Sequence, residues 1–201
     1  MTIILPFNVW NYINLLKKYF DYIFALLLLP LLLLLFLLIG VSIKLSSPGP
    51  IIHWSKRIGK NNIVFMMPKF RTMYLGTPNK ATDKLANPDR YVTNFGKILR
   101  LTSLDELPQI YSILKGDMSF VGPRPALFNQ IDLIRLRKKN GIDILLPGIT
   151  GLAQIKGRDE LTIKTKVDLD KEYMDNKSFL MDIKILCLTL FITIKRDKIS
   201  H

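Results

Sequence analysis

Asp105 and Glu106 stand side by side in a chain that otherwise carries a large excess of cations. Adjacent carboxylates can attack phosphorus, hold a divalent cation or move a proton. They lie in Thr102-Ser103-Leu104-Asp105-Glu106-Leu107-Pro108-Gln109, and Lys115-Gly116-Asp117-Met118-Ser119-Phe120-Val121-Gly122-Pro123-Arg124-Pro125 follows. The second stretch holds Arg124 between two prolines, which restrict the backbone, and a guanidinium matches phosphate bidentately. Lys69 and Arg71 alternate, so on a strand they share one face, and Arg100 precedes the carboxylates. Each feature also has a plain structural account. An acidic pair commonly caps a helix, Lys69 and Arg71 can form a solvated strip, and Arg124 can form a structural salt bridge.

Pro108 bears on where the helix begins, because proline fits the first turn, where backbone N–H groups are free. With Ser103 as N-cap, Pro108 falls beyond that turn and costs a helical hydrogen bond. With Leu104 or Asp105 as N-cap it falls in or near the free turn, and this register is preferred. It sets Asp105 and Glu106 beside free N–H groups and the positive end of the helix dipole, where carboxylates stay ionised and phosphate binds.

The 201 residues suffice for one domain with a core. Lysine and arginine number 29 against 16 acids, a net charge of +13, which calls for an anionic partner. A long leucine run favours membrane over nucleic acid, and there is no helix-turn-helix, zinc-finger or RNA-binding signature. The single cysteine, Cys187, excludes an intrachain disulfide and is expected to be buried and inert. His53 and His201 form no metal-ligand spacing, and no P-loop, Gly-x-Ser-x-Gly or Gly-x-Gly-x-x-Gly motif is present.

Residues 8 to 21 read as an amphipathic helix. Asn11, Asn14, Lys18 and Asp21 fall on one face, and Val9, Ile13, Leu16 and Phe20 on another. Trp10, Tyr12 and Tyr19 suit a headgroup layer, so the helix can lie on a membrane surface or pack on its own domain. Tyr22 to Ile43 is uncharged and as a helix would be about 33 Å long, enough to cross a hydrocarbon core. The run is too long for a cleavable signal peptide and shows no small-residue cleavage site. Pro30 removes the hydrogen bond to the carbonyl of Leu26, so the direct reading is a kinked span. Ser46-Ser47-Pro48-Gly49-Pro50 is a turn cluster, and Ile51–Trp54 and Ile63–Met66 read as strands around Gly59–Asn62. Residues 74 to 94 read as a surface loop over the site, and 126 to 139 as a helix with a basic, solvated end. Residues 161 to 175 read as a solvent-facing helix. The apolar Ser178 to Ile194, broken by Asp182 and Lys184, reads as a helix packed on the core or shallow in the interface.

Taken together, Ser103–Gln109 and Lys115–Pro125 resemble the monotopic phosphoglycosyl transferases, the bacterial sugar transferase family. Arg57-Ile58-Gly59 through Lys69-Phe70-Arg71-Thr72-Met73 resembles that family's R-x-G…K-F-R-T-M segment, with Ser55 where glutamine is frequent. Pro147-Gly148-Ile149-Thr150-Gly151-Leu152-Ala153-Gln154 and Gly157-Arg158-Asp159 resemble its P-G-I-T-G-x-A-Q…G-R-N, with Asp159 replacing asparagine. The resemblance covers about residues 17 to 195. It implies an α/β membrane-associated fold, a single compact domain with an N-terminal re-entrant membrane helix hairpin broken at Pro30 and interfacial amphipathic helices. Residues 1–44 would form the interfacial and re-entrant segment and 45–201 the catalytic region, without the extra domain of some larger relatives. Split at Pro30, arms of about 12 and 20 Å are each too short to cross alone, and basic residues flank both ends. Leu29 stands where the family usually has serine, so no local hydroxyl eases the break.

The resemblance also implies a reaction on the cytoplasmic face of a bacterial inner membrane. Asp105 would attack the β-phosphorus of a UDP-sugar and expel UMP, and polyprenyl phosphate would then take the phosphosugar. Glu106 would assist proton handling or position the acceptor, and Mg²⁺ touching Asp105 would neutralise the diphosphate. Lys69, Arg71, Arg100, Arg124 and Arg158 would bind phosphate or nucleotide. Two alternatives use the same sequence: a single direct displacement with the carboxylates only holding Mg²⁺, and a non-enzymatic membrane-anchored basic binding module.

Overall fold

The computed structural model describes residues 7–77, 90–157 and 160–196. It opens with helix α1 (Phe7–Ser46), 40 residues long. An antiparallel hairpin follows, β1 (Ile52–Ile58) and β2 (Val64–Phe70), with Ile52 opposite Phe70 and Ile58 opposite Val64. Both strands run longer than the sequence suggests. The chain turns between them through Lys60–Asn62, where Asn61 and Asn62 take positive φ angles of 55° and 59°. Asparagine tolerates this because its short polar side chain can bond locally.

Helix α2 (Asn94–Leu101) is capped by Thr93, whose hydroxyl accepts from the Gly96 N–H at 2.9 Å. A 3₁₀ segment (Leu104–Gln109) then runs directly into α3 (Ile110–Lys115). Strand β3 (Ser119–Val121) lies parallel to β4 (Gly148–Thr150), with α4 (Ile131–Lys139) between them in the chain. Helices α5 (Leu152–Ile155), α6 (Ile163–Asp175) and α7 (Phe179–Arg196) complete a mixed helix–sheet domain. Its main core joins Ala25 and Leu32 of α1 to Phe65, Met67, Ile113, Phe120, Val121, Tyr173 and Ile185. A second cluster holds Ile39, Ile43, Phe70 and Leu99.

One face of α1 packs against the domain along most of its length. Lys17, Asp21, Ala25, Leu32, Ile39 and Ile43 are all buried, a stripe repeating at helical spacing. Phe24 meets Phe120 edge-on, with centroids 5.1 Å apart, and Phe36 meets Phe70 at 5.4 Å. The opposite face exposes Leu26, Leu27, Leu31, Leu34, Leu37, Leu38 and Leu45. This is the one described helix long and apolar enough to cross a membrane. It runs without interruption through Pro30, so the hairpin expected from the resemblance is not present as two helices. Proline costs about 3 kcal/mol in a helix interior. Pro30 is exposed, and the buried stripe continues on both sides of it. Packing that spans the proline therefore outweighs the lost hydrogen bond.

The amphipathic reading of residues 8 to 21 is inverted in part. This segment is the first part of α1, and its buried side is polar. Lys17 Nζ donates to Asp182 Oδ2 at 2.6 Å, while Tyr12, Leu15, Leu16 and Tyr19 are exposed. The Tyr173 hydroxyl donates to Asp182 Oδ1 at 2.7 Å, and the burial of Asp21 is offset by Lys17 and by polar groups of Ser119 and Phe120. Each buried charge thus has partners, which burial demands. Helix α6 is likewise not merely solvent-facing, since Val167, Asp170 and Tyr173 are buried. Helix α7 buries Asp182 and Ile185 but exposes Leu180, Leu190 and Phe191. Cys187 falls on that exposed face, contrary to the buried thiol expected from its apolar neighbours.

Removing Asp182 should strand Lys17 and the Tyr173 hydroxyl in the interior. Asp182→Ala is expected to cost about 3 kcal/mol, whereas Leu26→Ala on the exposed face should stay within about 0.5 kcal/mol. Thermal or denaturant midpoints in detergent check this, and equal stability of the two variants would contradict it.

Candidate active site

The segment carrying the carboxylates differs from the preferred register in an informative way. Ser103, not Leu104 or Asp105, is the N-cap, in the left-handed region (φ 58°) and without a side-chain cap bond. Pro108 therefore lies beyond the free first turn. The chain accommodates it by winding as a 3₁₀ helix until Gln109 and becoming α-helical only at Ile110. The result turns both carboxylates toward β2 and buries Asp105 and Glu106.

Strand β2 supplies Lys69, whose Nζ donates to Glu106 Oε1 at 2.7 Å and lies 3.9 Å from Asp105 Oδ2. Arg124 approaches Glu106 from the other side, Nη2 to Oε1 at 2.9 Å and Nη1 to Oε2 at 3.5 Å. Its backbone is held by two close approaches. Gly122 N–H donates to the Thr150 carbonyl and Gly148 N–H to the Pro123 carbonyl, both at 2.9 Å. A Cβ on Gly148 would lie 2.1 Å from Gly122 N, and one on Gly122 2.4 Å from the Leu146 carbonyl oxygen. The glycines of the two motifs are thus what lets the motifs touch. Arg137 adds a further tie, Nη1 to the Arg124 carbonyl at 2.7 Å, while Nε and Nη2 hold Asp170 at 2.9 and 2.7 Å.

The two carboxylates differ in electrostatics. Burial disfavours the charge on Glu106, but Arg124 and Lys69, by charge and hydrogen bond, outweigh it and hold its carboxyl well below the usual carboxylate range. Asp105 is pushed up, chiefly by burial and also by the Glu106 charge, against the pull of Lys69, Arg100 and Arg124. Burial lowers Lys69, with Glu106 acting the other way. Glu106 is a fixed anion locked between cations. Asp105 is the less satisfied carboxylate, the property a nucleophile needs.

Both carboxylates border a cavity of about 800 Å³ whose basic lining includes Arg57, Lys69, Arg71, Arg100, Arg124, Arg137 and Lys166. Among the described residues, Asp105 and Glu106 are the acids on that wall. Of the residues expected to bind phosphate, Lys69, Arg100 and Arg124 come together around the acids. Arg100 Nε donates to Thr72 Oγ1 at 2.9 Å, and its charge acts on Asp105. Arg71 borders the cavity but is occupied otherwise. Nη1 donates to the Pro48 carbonyl at 2.7 Å, and Nη2 to the Ser47 carbonyl at 2.7 Å and its hydroxyl at 2.9 Å. It ties down the segment leaving α1, because β2 has ended at Phe70 and strand alternation no longer applies. Arg158 and Asp159 lie outside the described residues, as does most of the loop expected over the site.

Arg137 and Lys166 were not singled out by sequence. Arg137 follows the buried Leu133 by one turn, which would have placed it on the inner face of α4 despite its basic run. Gln154, also on the cavity wall, is buried, and neither its Nε2 nor its Oε1 has a protein partner. Among the described residues no group of three or more histidine, cysteine or acidic side chains could hold a metal. Magnesium needs no such cage, since it binds through one or two carboxylates together with substrate phosphates and water. Asp105 beside a cavity with a basic lining fits that donor set.

The family model for bacterial sugar transferases matches residues 12–196. An uncharacterized sugar transferase, EpsL, of Bacillus subtilis is 39% identical over 178 residues, covering 87% of this chain and 85% of the relative. The exopolysaccharide production protein ExoY of Sinorhizobium fredii is 37% identical over 196 residues, covering 87% and 83%. The UDP-glucose:undecaprenyl-phosphate glucose-1-phosphate transferase of Escherichia coli is 39% identical over 190 residues, 89% of this chain but only 40% of that longer protein.

Replacing Glu106 by alanine should remove the carboxylate that bonds both Lys69 and Arg124, leaving the more distant Asp105 as a weaker counter-charge, at a cost of about 3 kcal/mol. Because the folded-state pKa of Glu106 is depressed, its stabilisation is complete above the ordinary carboxylate pKa and fades as pH falls through the lowered value. The difference in stability between wild type and Glu106→Gln should therefore shrink on acidification. A difference independent of pH would contradict the ion-pair assignment.

Proposed function

The chain belongs to the bacterial sugar transferase family, and from that premise we propose that it transfers a phosphosugar from a UDP-sugar to polyprenyl phosphate through a covalent intermediate on Asp105. The observation that carries this is the division of labour between the carboxylates, one locked between Lys69 and Arg124 and the other beside the same lysine at the edge of a basic cavity. The E. coli relative is named for a UDP-sugar donor and an undecaprenyl phosphate acceptor.

In the first step an Asp105 oxygen attacks the β-phosphorus. A new P–O bond forms, the bond to the oxygen bridging the two phosphates breaks, and UMP leaves. In the second step a phosphate oxygen of the acceptor attacks the same phosphorus, releases the Asp105 carboxylate and gives the polyprenyl diphosphate sugar. Lys69, Arg100 and Arg124 offset the anionic charge of both steps, acting as preorganised electrostatic partners. Glu106 holds Lys69 and Arg124 in place. Its depressed pKa fits that task better than proton transfer. Magnesium, held by Asp105 and the substrate phosphates, would supply further charge neutralisation.

This chemistry joins a water-soluble donor to a lipid, and α1 suits the boundary. The segments flanking its apolar run are tied to one domain, Lys17 to Asp182 before it and Ser47 to Arg71 after it. We read it as dipping into the cytoplasmic leaflet of the inner membrane with both ends on the cytoplasmic side and the leucine face in lipid. A spanning helix would leave one of those ties on the far side.

Asp105→Asn should reduce UMP release from the correct UDP-sugar by roughly 10³-fold or more. Wild type should show a stoichiometric burst of UMP without acceptor and turnover with it. Release that strictly requires acceptor would favour direct displacement. Since the attacking carboxylate must be ionised and Asp105 is shifted up, the acid limb of kcat/KM should lie above the ordinary aspartate range. For topology, cysteines at Tyr12 and Leu45, in a Cys187→Ser background, should both label from the cytoplasmic side. Labelling of Tyr12→Cys only from the periplasm would refute the re-entrant reading.

A further inference from the structure

A second, smaller cavity of about 240 Å³ lies behind the carboxylates. Its wall is mostly hydrocarbon. Leu28 and Leu32 come from α1, Phe120 from β3 and Ile192 from α7. Ser103, Glu106 and Gln154 border both this cleft and the basic cavity, so the two meet at the carboxylates. The cleft is flanked by α1, whose outer face is an unbroken leucine surface. A ligand that suits both spaces has a phosphate at one end and a hydrocarbon chain at the other.

We infer that this cleft receives the first isoprene units of the acceptor, between α1 and α7, and so delivers its phosphate to Asp105. The inference rests on the transferase reading above and adds to it the place where the lipid leaves the bilayer. Three observations carry it. The cleft adjoins the basic cavity, sharing Ser103, Glu106 and Gln154 as wall residues, so a tail lying in it would bring its headgroup toward Lys69 and Arg124, which bond Glu106. Gln154 sits at the junction with a buried amide that has no protein partner, and a phosphate oxygen there would accept its Nε2–H. The cleft walls come from the inner side of α1 on both sides of Pro30, since Leu28 precedes the proline and Leu32 follows it. Helix α1 is thereby both membrane anchor and one wall of the acceptor path. The cleft's size admits only the start of a long chain, and the remainder stays in lipid beside the exposed leucines.

The test uses wild-type protein in detergent with a polyprenyl phosphate carrying a diazirine on its first isoprene unit. UMP release from the UDP-sugar is followed in the same sample. Photolysis should place adducts on the cleft residues Leu28, Leu32, Ile192 or Thr193 themselves, and unmodified polyprenyl phosphate should displace them. Adducts confined to Leu27, Leu31 or Leu34 on the outer face would overturn the inference, as would equal displacement by excess phospholipid. Leu28→Trp should raise the KM for the acceptor about tenfold at little change in kcat, by excluding hydrocarbon from the cleft. Leu27→Trp, pointing outward, should leave KM unaltered. Thr193→Trp, on the opposite wall, repeats the test should Leu28→Trp fail to fold. Unchanged KM in a folded cleft variant, with turnover intact, would refute the cleft alone. Absence of UMP release from wild type with every UDP-sugar would refute the transferase reading beneath it.

Discussion

A buried glutamate between two cations sets the geometry of the whole catalytic face. Glu106 draws Lys69 from β2 and Arg124 from the turn after β3 onto one carboxylate. Desolvation makes such a cluster costly unless every charge is met, so the elements that bring the partners must be held firmly. The hairpin provides Lys69 through its own ladder. The Arg124 turn is fixed by the parallel β3–β4 pair, by the glycine contacts and by Arg137. Arg137 is in turn fixed by Asp170 of α6. Charge-assisted bonds thus run from Asp170 of α6 through Arg137 and Arg124 to Glu106. Asp105 profits by being left out of the tightest pairing.

Helix α1 is governed by the same rule. Lys17 and Asp21 enter the interior only because Asp182, Tyr173 and Ser119 meet them there. The polar side of α1 faces protein and its leucine side faces outward, an arrangement suited to lipid rather than water. At the other end Arg71 collects the carbonyls of Ser47 and Pro48, which follow the helix terminus. Helix α1 and the rest of the domain are one packed body, so the position of the cavity relative to the leucine face is built into the fold.

Much of the site was legible because its residues lie in short dense motifs. The acids, Lys69, Arg100 and Arg124 converge as their spacing and family resemblance suggest. The touching glycines follow from motifs that need close backbone approach. What was not legible depended on distant partners. Periodicity shows that Lys17 and Asp21 share a helix face, but not that the face is inward, since Asp182 lies 165 residues from Lys17. Arg71 resembled a strand neighbour of Lys69, yet the strand ends one residue earlier. Three-residue strands such as β3 and β4 carry no alternation to read. The N-cap was misjudged because proline was assumed to demand an α-helical first turn, and a 3₁₀ segment removed that demand.

The account turns on which carboxylate takes the phosphorus. The most direct measurement is peptide mapping of protein quenched after brief incubation with a UDP-sugar labelled at the β-phosphorus, in the absence of acceptor. The predicted result is one labelled peptide carrying the phosphosugar on Asp105, discharged when polyprenyl phosphate is added. Label on Glu106, or no labelled protein under conditions where acceptor-dependent turnover is rapid, would contradict it.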